Sequence, residues 1–205
     1  DPRLKMITFT GSPGVGWDIK QRAGRKKVVL ELGGNAGVIV EPDADLDLAA
    51  KRTSFGAFVY SGQVCISVQR AYVHASQFDK FIDKLIKETE ALKPGDPLDE
   101  TVTIGPMINR DNADRIEAWV NEAVVTGAKV VCGGHRDVNY YSPTILTGVD
   151  PSLPISCNEA FGPILIVDSY TDFHDAIERV NNSDFGLQAG VFTNQMDKTL
   201  GAFNK

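Results

Sequence analysis

The feature that most limits what this chain can fold into is its alternation of strand-length apolar runs with segments of helical periodicity. Residues 4–10 (LKMITFT), 26–32 (KKVVLEL) and 36–41 (AGVIVE) are apolar runs rich in β-branched residues and bounded by Gly or Pro, the pattern of buried strands. A short helix pattern at about 14–23 separates the first two, and residues 46–60 carry apolar residues at helical spacing before stopping at Ser-Gly-Gln. After a strand at 70–75, Ser76 is placed to cap a helix whose Phe78, Phe81, Ile82, Leu85 and Ile86 form one apolar stripe. A Pro/Gly/Asp-rich loop (93–108) leads to a second amphipathic helix at about 110–126, with Ile116, Trp119, Val120, Ala123 and Val124 on one face. Strands AKVVCGG, SPTILTG and PILIVDSY, helix DFHDAIERVNN, strand QAGVFT and a last helix complete the order. Strands joined through helices pair in parallel by crossovers. The expected fold class is therefore α/β, a layered, mainly parallel sheet with helices on both faces.

Charge and residue counts then exclude several kinds of function. With 21 Lys+Arg against 27 Asp+Glu the net charge is -6, leaving no basic surplus to neutralise a phosphate backbone, so nucleic acid is not an expected partner. No apolar run reaches the roughly 20 residues that span a bilayer, and no signal layout opens the sequence; no membrane partner and a cytoplasmic location are expected. The cysteines at 65, 132 and 157 form no CxxC pair, so reduced thiols are expected. His74, His135 and His174 lie far apart, read as surface or structural, and no metal site is predicted. The chain opens on Asp at a strand and stops inside a helical pattern, which reads as a piece of something longer.

Three short stretches carry chemistry. ITFTGSPGVG sets Gly11, Ser12 and Gly16 between a strand and a helix, where backbone N–H groups can approach a phosphate at a helix N-terminus. The spacing is not G-x-G-x-x-G and no Lys-Ser/Thr follows, so a purely structural turn reads equally well. VVLELGGN ends a strand on Glu31 just before a Gly-Gly turn. Glu31 has two readings: a strand-end carboxylate in water, or a general base tuned by partial burial. Cys65, in GQVCISVQR on a helix-to-strand connection, is either a small buried hydrophobe or a nucleophile.

Taken in order, FTGSPGVG, LELGGN, GQVC and EAFGP (159–163), with Glu31 34 residues before Cys65, this set resembles the aldehyde dehydrogenase superfamily of the hydrolytic, NAD(P)-dependent type. The likeness extends through TIGPMIN (103–109) and FGLQAGVFTN. It implies that the Cys65 thiolate attacks an aldehyde carbonyl to give a thiohemiacetal. The oxyanion would be held by the Cys65 N–H and by an asparagine that the family carries on an upstream segment. Hydride would pass to NAD or NADP, leaving a thioester, and Glu31 would activate the water that releases the carboxylic acid. By the same resemblance Glu159 meets the nicotinamide ribose, Phe161 packs near the nicotinamide, Gly11, Ser12 and Gly16 form the pyrophosphate turn, and Leu32 and Gly33 line the nicotinamide pocket. Val64 and Ile66 would shape an apolar substrate mouth. Cys132 and Cys157 match no catalytic position. GQVCISVQR resembles members acting on small functionalised aldehydes such as semialdehydes.

Against the family pattern the chain lacks a long N-terminal region and the final segments. Residues 1–31 are thus expected to be the C-terminal remnant of a dinucleotide-binding domain, and 32–205 a catalytic domain incomplete at its C-terminus. The chain alone is expected to be weakly active or inactive, the parent protein an active homo-oligomer, dimer or tetramer. Two alternatives stand beside this reading: a coenzyme A-acylating dehydrogenase, disfavoured by the water-activating Glu31, and a non-catalytic domain that kept the fold, disfavoured by Cys65, Glu31 and Glu159 occurring together.

Overall fold

The computed structural model describes residues 1–205. In chain order the elements are β1 (Met6–Thr10), α1 (Pro13–Arg22), β2 (Lys27–Glu31), β3 (Ala36–Val40), α2 (Leu46–Phe58), β4 (Val68–His74), α3 (Phe78–Glu90) and α4 (Arg110–Val125). They continue with β5 (Lys129–Cys132), β6 (Arg136–Asp137), β7 (Tyr140–Tyr141), β8 (Thr144–Thr147), the single turn α5 (Pro154–Cys157), β9 (Ile164–Tyr170), α6 (Phe173–Asn181), β10 (Ala189–Phe192) and α7 (Met196–Phe203).

Six strands form one sheet in the order β10-β3-β4-β9-β8-β5. All pairings are parallel except β5 with β8, so the α/β layered reading holds with one antiparallel edge. The middle strands are buried along most of their length because both faces are covered. Val38, Val40, Ala71, Val73, Leu165 and Val167 pack with Phe58 of α2 and Phe81 and Leu85 of α3. Residues of the opposite parity face the other way: Leu146, Ile164 and Ile166 meet Ile116 and Val120 of α4, and Ile39 and Tyr72 meet Ala176 and Ile177 of α6. Each fully buried side chain of this kind contributes roughly 1.5–3 kcal/mol.

Local chemistry starts the helices. Asp45 accepts the Asp47 and Leu48 N–H groups at the head of α2, Asn109 caps α4 through the Asn112 N–H, and Asp172 does the same for α6. The expected Ser76 cap of α3 is corrected: the His74 imidazole takes the Ser76 N–H, a 3-10 turn spans Ala75–Gln77, and α3 begins at Phe78. On α4 the buried stripe is Ala113, Ile116, Val120 and Ala123. Val124, expected on that face, stands at the solvent edge with 44% exposure.

β1 and β2 stand apart as a two-stranded parallel sheet. Their residues alternate between exposed and half-buried, with none fully buried. Leu4, Met6, Val15, Trp17 and Val29 are all exposed there. No helix of the chain is long and apolar enough to cross a membrane.

Candidate active site

Cys65 lies on the connection between α2 and β4, and this connection is held from several sides. A 3-10 segment, Val59–Gly62, follows α2, with Tyr60 and Ser61 in left-handed backbone at φ 53° and 58°, a conformation non-glycine residues adopt only under constraint. The constraint is visible: the Ser61 hydroxyl donates to the Gly105 carbonyl at 2.6 Å. Gln63 then clamps the same neighbouring loop, its Oε1 accepting the Ile108 N–H at 2.8 Å and its Nε2 donating to the Pro106 carbonyl at 3.4 Å. Ile104 and Met107 anchor that loop in the core at 1% exposure each. Gly62 has φ +67°, and a Cβ there would stand 2.1 Å from the Gly162 carbonyl oxygen. Only glycine fits between the cysteine loop and the EAFGP turn. Val64 C=O accepts the Ser67 N–H at 3.0 Å, closing a turn around Cys65, whose own N–H donates to nothing within the chain. Cys65 itself is half-buried.

The LELGGN turn packs directly on this loop. A Cβ at Gly34 would fall 1.9 Å from the Cys65 carbonyl oxygen, so the two backbones are in contact. The Gly34 N–H donates to Glu159 Oε1 at 2.9 Å, and a Cβ at Gly33 would meet Glu159 Oε2 at 2.6 Å. Gly33, Gly34, Cys65 and Glu159 therefore converge. Burial pushes the Glu159 carboxyl above the usual carboxylate range, against the opposing pull of the Gly34 N–H and the Arg115 guanidinium. Arg115 donates to the Ala160 carbonyl at 2.7 Å and lies over the Trp119 ring at 4.6 Å. Phe161 has φ 46° and is 39% exposed.

Glu31 closes β2 with an exposed side chain, so of its two readings the strand-end carboxylate open to water describes its burial and tuning by partial burial does not: within the chain β2 has no neighbour beyond β1 to cover it. Leu32 is half-buried and packs on α1, where a Cβ at Gly16 would lie 2.4 Å from its Cδ2. Gly16 thus lets α1 sit close to the LELGGN turn. Gly11 and Ser12 are exposed at the head of α1, where Ser12 makes no side-chain cap bond and the first turn holds no acidic residue. That helix end keeps its unpaired N–H groups and positive dipole free for an anion. The group set fits a dinucleotide pyrophosphate.

Val64 and Ile66 line a half-open cavity of about 460 Å³ between α2 and the β3–β10 edge, with Phe55, Val59, Val68 and Phe192 among the other residues of its apolar wall. Cys132 is half-buried and Cys157 exposed, both away from this cavity, and no cluster of His, Cys, Asp and Glu is arranged to hold a metal.

Several positioning residues escaped the sequence reading. Gln69, buried on β4, donates to the Ile155 and Asn158 carbonyls and accepts the Ala160 N–H at 2.8 Å. Asn35 donates to the Ser156 and Asn158 carbonyls. Together they fix the segment carrying Glu159 to the strands carrying the Gly-Gly turn and Cys65. Their only signal in the sequence is an amide placed next to or within an apolar run, at Asn35 and Gln69.

A sequence model described as "Aldehyde dehydrogenase family" matches residues 1–205. The 3-sulfolactaldehyde dehydrogenase of Priestia megaterium is 49% identical over 199 residues, 97% of this chain and 42% of that protein. The crystal structure of aldehyde dehydrogenase 21 from Physcomitrella patens in complex with the reaction product succinate superposes with a TM-score of 0.96 at 43% identity, over 100% of this chain and 43% of that one. The glyceraldehyde-3-phosphate dehydrogenase GapN of Methanocaldococcus jannaschii, complexed with NADP, gives 0.92 at 38% identity over 98% of this chain and 43% of that one. The chain thus spans about 42% of the length of its curated relative. With its whole length matched and its motifs gathered around one cysteine, this chain belongs to the aldehyde dehydrogenase family.

Proposed function

We propose that the protein containing this chain oxidises a small functionalised aldehyde to its carboxylic acid with NAD or NADP as acceptor. The observation that carries this reading is the contact of the Gly34 backbone with the Cys65 carbonyl, with Glu159 bonded to the same glycine. It brings three sequence-distant motifs to one point.

In this reading Cys65 Sγ, as thiolate, adds to the aldehyde carbon and the carbonyl oxygen becomes an oxyanion. The Cys65 N–H, which has no partner in the chain, is the donor available to that oxygen. NAD or NADP, when bound, supplies the acceptor for the hydride lost as the thiohemiacetal becomes a thioester. Gly11, Ser12 and Gly16 would hold its pyrophosphate side, Leu32 and Gly33 the wall of its nicotinamide side, Glu159 its ribose and Phe161 the neighbourhood of its ring. Glu31 makes no hydrogen bond to Cys65 and is open to solvent, the disposition of a base that acts through a water. It takes a proton from that water, whose oxygen adds to the thioester carbon; the Cys65 thiolate leaves and the acid is released. Residues 1–31 are assigned to a dinucleotide-binding unit and 32–205 to the catalytic unit, with the whole protein working as a homo-oligomer. For this chain alone we assign weak or no turnover, because its dinucleotide side consists of two strands and one helix open to solvent.

The activities for which the relatives are named, on sulfolactaldehyde and glyceraldehyde 3-phosphate, and the succinate bound in the Physcomitrella enzyme support a short substrate bearing a polar group. A panel of aldehydes assayed against NAD and NADP with the full-length protein, with acid and acyl-coenzyme A products quantified, tests the reading. Free acid formed without coenzyme A is the expected result. Acyl transfer that requires coenzyme A, or no aldehyde-dependent nucleotide reduction, contradicts it.

A further inference from the structure

The cavity lined by Val64 and Ile66, the residues on either side of Cys65, has apolar walls and a single charged residue. Of the 16 residues that line it, 10 are hydrophobic and Arg52 alone carries a charge. Arg52 and Phe55 stand three residues apart on one face of α2, Val59 follows directly at the helix C-cap, and all three line the cavity. Arg52 belongs to none of the chain's seven ion pairs, and its guanidinium donates no hydrogen bond within the chain. Arg52 is exposed at the cavity's rim, and a cation there with no internal counter-charge, bordering low-dielectric walls on one side, attracts an anion entering the cavity more strongly than one surrounded by water. The planar guanidinium offers paired donors that match the two oxygens of a carboxylate or sulfonate.

We propose that Arg52 is a specificity residue that receives the terminal oxyanion group of a short aldehyde while the aldehyde carbon faces Cys65. The assignment rests on the aldehyde-oxidising reading above and narrows its substrate to anionic aldehydes. The apolar wall of Phe55, Val59, Val64 and Ile66 would then cover the methylene chain between the two ends.

The test compares full-length wild type with Arg52→Gln and Arg52→Lys on 4-oxobutanoate, 2-oxoethanesulfonate and uncharged butanal. Arg52→Gln is expected to lower kcat/KM for 4-oxobutanoate about 10- to 100-fold, chiefly through KM, since a contact made equally in ground and transition states acts on binding. Butanal is expected to change by less than about twofold, and Arg52→Lys to recover part of the loss because it keeps the charge without the fork. The sulfonate arm reads whether the site accepts either oxyanion. Equal losses on the anionic aldehydes and on butanal, or no loss on either anionic one, would overturn the role of Arg52. Calorimetric titration with succinate, which cannot react, reads the same contact independently: wild type is expected to bind at least about 10-fold more tightly than Arg52→Gln. Differential succinate binding without any aldehyde oxidation would contradict the catalytic reading and keep the Arg52 assignment. Oxidation with identical succinate affinity in both proteins would do the reverse.

Discussion

The two sides of the candidate site are built differently. The cysteine side rests on a six-stranded sheet covered on both faces, and its loop is tied by Ser61, Gln63, Gln69 and Asn35 to neighbouring backbone. The glycine-turn side rests on two parallel strands and one helix with Met6, Val15, Trp17 and Val29 exposed. Rigidity is concentrated where a nucleophile and its oxyanion donor would have to be held to a fraction of an ångström. The side that would receive an extended ligand presents open backbone donors instead.

The largest effect expected from this contrast is functional. In the full-length protein Cys65→Ser is expected to lower turnover by about 10⁴-fold or more while leaving dinucleotide affinity, measured by fluorescence titration, within about twofold. A parallel loss of affinity would mean that the two sides are not separable. Next comes Gly34→Ala. A Cβ there would meet the Cys65 carbonyl oxygen at 1.9 Å, so the turn and the cysteine loop must part; a displacement near 1 Å costs about 10²-fold in rate. Gly14→Ala on α1, with nothing within 4 Å of its Cβ, is expected to leave the stability of the chain unchanged or raise it by up to about 1 kcal/mol. Urea denaturation of this chain checks the third prediction: Leu165→Ala in the covered sheet loses about 2–5 kcal/mol, whereas Val29→Ala in β2, 43% exposed, loses about 0.5 kcal/mol or less.

The smallest effect concerns pH. Burial raises the Glu159 carboxyl in the folded chain, so the folded state holds its proton at pH values where the unfolded chain has released it. Glu159 therefore contributes nothing below the ordinary carboxylate range and costs stability progressively as pH rises through its raised value. Glu159→Gln removes that dependence. Its melting temperature relative to wild type is expected to climb across this window and to be flat on either side. A difference that falls with rising pH would mean that the pull of the Gly34 N–H and Arg115 outweighs burial.

The covered sheet was the most legible part of the fold. AGVIVE and PILIVDSY read as strands because parallel strands buried on both faces leave an unbroken apolar run. The two-residue strands β6 and β7 were invisible, since a pairing that short leaves no periodicity. The Ser76 cap failed because the Ser76 hydroxyl is engaged by the His74 imidazole at 2.9 Å and a 3-10 turn separates Ser76 from α3, a choice made by side-chain geometry and not by residue type. For Glu31 the sequence left two readings open; the partly buried one follows from the rule that strand ends face crevices, which presupposes neighbouring strands that β2 lacks here. Within the site, the residue types of Cys65, Glu31 and Glu159 were visible in their motifs, but not the contact of Gly34 with Cys65 or the amides that enforce it. Those depend on tertiary distances between residues more than 30 positions apart in sequence.

The central claim is that Cys65 carries the acyl group and Glu31 releases it. Its most direct test mixes full-length Glu31→Gln with aldehyde and nucleotide, follows reduced nucleotide on the millisecond scale, and quenches for peptide mass analysis. The account predicts a burst of about one reduced nucleotide per site, then turnover slowed by about 10²-fold or more, with the acyl mass on the peptide bearing Cys65. A steady rate with no burst, or an acyl group found on Cys132 or Cys157 instead, would contradict it.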